Sequence, residues 1–69
     1  KKLSYKEKTE FDTLEKEIAT LESDKKDLER ELSKTTDVDI IQNLSQTYKS
    51  LNEDLESKTL RWLELAELA

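Results

Sequence analysis

Apolar residues along this chain recur at steps of three and four, and they do so in two separate series. The first is Phe11, Leu14, Ile18, Leu21, Leu28 and Leu32, interrupted only where Lys25 takes the next site. Written as a heptad, Phe11, Ile18, Lys25 and Leu32 occupy a, and Leu14, Leu21 and Leu28 occupy d. The second is Ile41, Leu44, Tyr48, Leu51, Leu55, Trp62 and Leu65, again with one lysine, Lys58, in the stripe. Here Ile41, Tyr48, Leu55, Trp62 and Ala69 take a, and Leu44, Leu51, Lys58 and Leu65 take d.

The two series are out of phase. Continuing the first would set an a position at residue 39, whereas the second starts at Ile41. A continuous coiled coil absorbs insertions of three or four residues, and this slip fits neither. At the slip lies Thr35-Thr36-Asp37-Val38-Asp39, whose β-branched and Asp residues favour caps and turns over helix interior. The pattern therefore predicts a helix over about 4–34, a turn over about 35–39 and a helix over about 40–68, with 1–69 forming a single domain. Thr36 or Asp37 is expected to cap the second helix. Ser4 and Glu7 have the spacing of a capping box at the start of the first.

Each arm, roughly 30 residues and about 45 Å long, must cover its stripe. The nearest partner is the other arm, which gives an all-α fold, a two-helix antiparallel coiled-coil hairpin. Matching a against d favours a register that sets Phe11 opposite Leu65, Leu14 opposite Trp62, and Leu28 opposite Tyr48. It places Lys25 opposite Leu51 and Lys58 opposite Ile18, so that each lysine lays its stem on an apolar side chain and keeps its ammonium wet. A register shifted by a heptad would instead face Trp62 with Glu7. A rival architecture is one unbroken helix in a parallel homodimer.

Composition narrows the function classes. The chain has 69 residues, 42% of them charged, and no Gly, Pro, Cys, Met or His. Disulfide scaffolds and zinc sites need Cys or His, and phosphate-cradling loops need Gly. No apolar run approaches the roughly 18 residues of a membrane span, and no signal-peptide core is present. The lack of Cys fits a cytoplasmic setting. No catalytic, cofactor-binding or metal-binding residues are expected in this chain, which is read as non-enzymatic.

Charge is unevenly placed. The net charge is −5, yet Lys1, Lys2, Lys6 and Lys8 open the chain against Glu7 alone, and the remainder holds twice as many acidic as basic groups. A chain of this sign binds phosphate poorly as a whole, so nucleic-acid contact must use local patches. The candidates are Lys1, Lys2, Lys6 and Lys8 at the start, and Lys25, Lys26, Arg30 and Lys34 near the turn. The competing reading is that these are solvated cations paired at helical spacing, as Asp27 and Glu31 are around Arg30. Near the end, Leu60 and Leu63 fall at f and b and Leu68 at g, off the seam, and form a candidate protein-docking surface. Alternatively, Leu3 and Tyr5 fold back over them, or they make a homodimer contact. Trp62 reads as a seam residue rather than a base-stacking platform.

Several stretches carry a family resemblance. Lys1-Lys2-Leu3-Ser4-Tyr5-Lys6-Glu7-Lys8 looks like a basic linker followed by an LSYKE opening. Glu10 through Leu14 and Ile18-Ala19-Thr20-Leu21-Glu22 are similar to a first arm, and Arg61-Trp62-Leu63-Glu64-Leu65 looks like an RWxEL ending. Together they resemble the C-terminal domain of ABC-F ATPases of the Uup type, over nearly the whole chain. Glu15 stands where that family often has proline, and Thr36 to Ile40 replace its Asp-Pro and aromatic turn, so a straighter first arm and a less rigid turn are expected.

The resemblance implies a cytoplasmic parent protein with two ATP-binding cassettes. ATP and Mg would bind in those cassettes, outside these residues. It also implies an accessory role for the hairpin, in contact with DNA or the ribosome and with its own cassettes, and without a membrane partner. Two functions follow as expectations: a nucleic-acid-binding module for DNA or ribosomal RNA, or a protein-interaction, regulatory or weakly dimerising coiled coil.

Overall fold

The structure, a computed structural model, describes residues 2–69. Helix α1 (Tyr5–Lys34) and helix α2 (Val38–Leu68) run antiparallel and form a rod of 52 × 15 × 15 Å. The hairpin is therefore the architecture, and the unbroken rod is not: the chain leaves helix at Thr35 and re-enters it at Val38.

Local chemistry sets these limits. Ser4 is extended, its hydroxyl accepts from the Glu7 amide at 3.2 Å, and the Glu7 carboxylate accepts from the Ser4 amide at 2.9 Å. Two of the orphan donors at the helix start are thus satisfied reciprocally, as the sequence spacing implied. At the far end the Thr35 amide still donates to the Glu31 carbonyl at 3.2 Å, and the Thr35 hydroxyl accepts from the Asp37 amide at 3.2 Å. Asp37 then caps α2, one carboxylate oxygen accepting from the Asp39 amide at 2.9 Å and the Ile40 amide at 3.3 Å.

The turn occupies 35–37 and is shorter than the 35–39 expected. Because Asp37 captures both amides, Val38 and Asp39 become the first turn of α2, where Asp39 also favours the positive end of the helix dipole. Among the described residues none has a positive φ, so a chain without glycine makes this turn unstrained.

The seam is the one the heptads mark. Along α1 the a and d positions from Phe11 to Leu32 are half-buried or better, including Lys25, and so are those of α2 from Ile41 to Leu65, including Lys58. Among the described residues only Leu14, at 8% exposure, and Leu65, at 0%, are buried, and Leu65 alone is fully enclosed. Both lie toward the end of the rod that carries the two termini. There the Phe11 and Trp62 rings stack at 5.3 Å and 17°. In the expected register these two rings belong to adjacent layers, so the stack ties one layer to the next. Glu7 is engaged with Ser4 instead of facing Trp62, as the shifted register would require.

Beside the stack, the Glu10 carboxylate accepts from two nitrogens of Arg61, at 2.8 and 3.0 Å. The hairpin is closed covalently at the turn and by packing and a bidentate ion pair at the opposite end.

The seam lysines find partners as well as water. The Lys58 ammonium lies 3.3 Å from Asp54 and 3.9 Å from Glu17 of the other arm. The Lys25 ammonium sits 5.9 Å over the Tyr48 ring, whose hydroxyl donates to Glu29 at 2.5 Å. A cation over an aromatic face is attracted by the ring quadrupole, which makes a lysine tolerable at an a position.

Candidate functional site

Helical periodicity sorts the charges of α1 by face. With a and d in the seam, e and g form the flanks and b, c and f point away from α2. Most α1 carboxylates lie on the flanks, Glu15, Glu22 and Glu29 at e, and Glu10, Glu17, Asp24 and Glu31 at g. The candidate cations mostly do not. Lys2 precedes the helix and is exposed. Lys6 at c, Lys26 at b, Arg30 at f and Lys34 at c are exposed on the outward face. Lys8 is exposed on a flank, at e. Lys25 is half-buried in the seam over Tyr48, so it does not join a surface patch. Lys1 lies outside the described residues.

The two groups therefore sit near opposite ends of one helix face, roughly 36 Å apart from Lys6 to Arg30 at 1.5 Å per residue. Arg30 pairs with Asp27 at 3.6 Å, both side chains well exposed. Such surface pairs contribute about 0–1 kcal/mol. The sequence reading passed over Lys16, which is exposed at f midway between the groups. Its heptad position was the available signal.

The leucine surface is where the pattern placed it. Leu60 is 56% exposed, Leu63 47% and Leu68 37%. Tyr5 does not fold back over them: it begins α1 at 86% exposure, because the Ser4 capping box aims the chain along the helix axis. Carboxylates surround this surface, with Glu53 and Glu56 lining a shallow groove beside Leu60.

Trp62 is committed to the seam against Phe11, and its indole nitrogen is buried with no hydrogen-bond partner. A base has no access to that ring face.

The charges at the open end reinforce one another. Hydrogen bonding from Arg61 holds the Glu10 carboxyl below its ordinary value, and Glu10 in turn raises the Arg61 guanidinium. At the other end of the seam, hydrogen bonding to Glu29 raises the Tyr48 phenol. Both pairs tie one arm to the other. Among the described residues no group of carboxylates is arranged to hold a metal ion, and no helix is long and apolar enough to cross a membrane.

The family model described as the ABC transporter C-terminal domain matches residues 2–67. The chain belongs to that family. The resemblance drawn from the two ends of the sequence is thereby placed at the level of an ABC protein's C-terminal domain. No curated protein and no solved structure was found that matches the chain. An ABC transporter C-terminal domain of this kind is a helical accessory unit and is not itself the ATPase cassette.

Proposed function

We propose that this hairpin is the accessory domain of a cytoplasmic ABC-F ATPase of the Uup type, and that it holds the parent protein on nucleic acid. ATP and Mg then belong to the parent's cassettes. The observation that carries the reading is the sorting of charge on α1. Lys6, Lys26, Arg30 and Lys34 point away from the partner arm, while most of the helix's carboxylates are turned to its flanks. Phosphates meeting that face encounter cations that the net charge of −5 conceals. Lysine and arginine contacts to the backbone release condensed counterions and read no sequence, so DNA and ribosomal RNA are both ligands of the right chemistry.

Titrating salt against duplex DNA and ribosomes side by side tests this. Affinity is expected to fall steeply between 50 and 200 mM salt, and replacing Lys1, Lys2, Lys6 and Lys8 by Gln is expected to flatten that slope. Binding that ignores salt, or that survives the replacement unchanged, would refute phosphate contact.

The exposure of Leu60 and Leu63 supports a second reading, docking of α2 on the parent's cassettes or on another protein. Leu60→Glu with Leu63→Glu is expected to abolish that association while helicity by circular dichroism stays intact. Loss of helicity instead would place both leucines in the core.

A further inference from the structure

We infer that the outward face of α1 is one continuous phosphate-binding rail centred on Lys16, and that a nucleic-acid duplex lies along it. This rests on the nucleic-acid reading above but makes a sharper claim than two patches at the ends of the rod. Between Lys6 and Lys26, the outward positions are Thr9, Asp12, Thr13, Lys16, Ala19, Thr20 and Ser23, all exposed. Asp12 is the one carboxylate among them. Farther along, Asp27 is a second, 3.6 Å from Arg30. The hydroxyls of Thr9 and Thr20 donate back to the carbonyls of Tyr5 and Lys16, at 3.0 and 3.1 Å, so they contribute neutrality rather than a donor. Lys16 stands in the middle of this stretch, and among the described residues it forms no ion pair.

The opposite side of the rod has the reverse character. The outward positions of α2 carry Glu53, Glu56, Glu64 and Glu67 against Lys49. The outward positions of α1 thus hold more cations than carboxylates and those of α2 the reverse, so a polyanion is matched locally by the outward line of α1 although exposed carboxylates flank it. From Lys6 through Lys16 and Lys26 to Lys34, the cations are spaced by about 15, 15 and 12 Å, a total of about 42 Å at 1.5 Å per residue. At 3.4 Å per base pair that length covers about 12 base pairs. A straight rod matches a straight duplex better than a collapsed single strand. If Lys2, Lys6, Lys16, Lys26, Arg30 and Lys34 each meet a phosphate, the logarithm of affinity changes with the logarithm of salt at a slope of about −5 on B-form DNA.

The test compares the protein with Lys16→Gln, Lys16→Glu and, on the acidic side, Lys49→Gln. The ligands are 16-base-pair DNA, 16-base-pair RNA, a single strand of the same length and a 6-base-pair duplex. Lys16→Gln is expected to weaken binding to the long duplexes about eight-fold at 0.1 M salt and to flatten the slope by about 0.9. Lys16→Glu should weaken it further, Lys49→Gln should change neither quantity, and the short duplex should bind far less well. The DNA and RNA arms tell the two sources of backbone apart. Circular dichroism confirms that these exposed substitutions leave the helices intact. If the N-terminal lysines prove necessary while Lys16 is dispensable, the rail is refuted and the nucleic-acid reading stands. Preference for the single strand refutes the duplex, and absence of binding by the unsubstituted protein removes both.

Discussion

Leu65→Ala is expected to destabilise the hairpin by about 3 kcal/mol, enough to leave much of the chain unfolded at room temperature. Truncating an enclosed leucine removes its transfer free energy and leaves a void, costing about 2–5 kcal/mol. Among the described residues Leu65 is the one with 0% exposure, and only Leu14, at 8%, approaches it. A two-helix rod has little else apolar that is fully removed from water, so the loss falls on a small total. The position is telling, since Leu65 lies in the last turns of α2, where helices usually fray. It is held there because its neighbours in the same turn, Arg61 and Trp62, are clamped to Glu10 and Phe11 of the other arm. Urea unfolding followed by circular dichroism reads the effect, with Leu60→Ala at 56% exposure as the comparison, expected to change the unfolding free energy by no more than about 0.5 kcal/mol. Equal shifts for the two leucines would mean that the open end is not the core.

What the sequence made legible was whatever depends on periodicity. The slip between the two stripes located the turn, and the heptads marked every residue of the seam, including the two lysines. Family membership followed from short stretches at the two ends, which are far less degenerate than the heptads between them. What stayed hidden depends on side-chain geometry across the seam. The turn came out shorter because one carboxylate, Asp37, reaches two amides, a detail that composition leaves open between Thr36 and Asp37.

The candidate cations were chosen by proximity along the chain, and proximity mixes faces. Lys25 and Lys26 are neighbours in sequence, yet one rides over Tyr48 in the seam and the other points to water. Lys16, isolated in sequence, joins the outward face. The net charge likewise sums over faces that differ, since the outward positions of α1 hold more cations than carboxylates and those of α2 the reverse. The Phe11–Trp62 stack and the Glu10–Arg61 pair had no sequence signal beyond the register, because each spans more than 50 residues.

Lys58→Leu is expected to act in the opposite direction and stabilise the hairpin by about 1 kcal/mol. Lys58 occupies a d position with its side chain 28% exposed, on a stripe that otherwise seeks burial. Its partners Asp54 and Glu17 are themselves about half exposed, and pairs of that kind contribute about 0–1 kcal/mol once water screens them. A leucine at the same site buries a side chain worth about 1.5–3 kcal/mol if fully covered, and somewhat less here. Lys25→Leu should gain less, because it also discards the attraction to the Tyr48 ring, about 0.5–1 kcal/mol at an exposed site. The gain has a structural consequence. A charge in the seam costs stability but restricts which stripe accepts it, and removing it lets the apolar faces of two chains pair as readily as the two arms of one. Sedimentation at rising concentration is therefore expected to show more dimer for Lys58→Leu than for the parent sequence, alongside a higher urea midpoint. A lower midpoint would mean that the Asp54 and Glu17 contacts outweigh the apolar seam at that layer, and that Lys58 stabilises the hairpin outright instead of selecting its pairing.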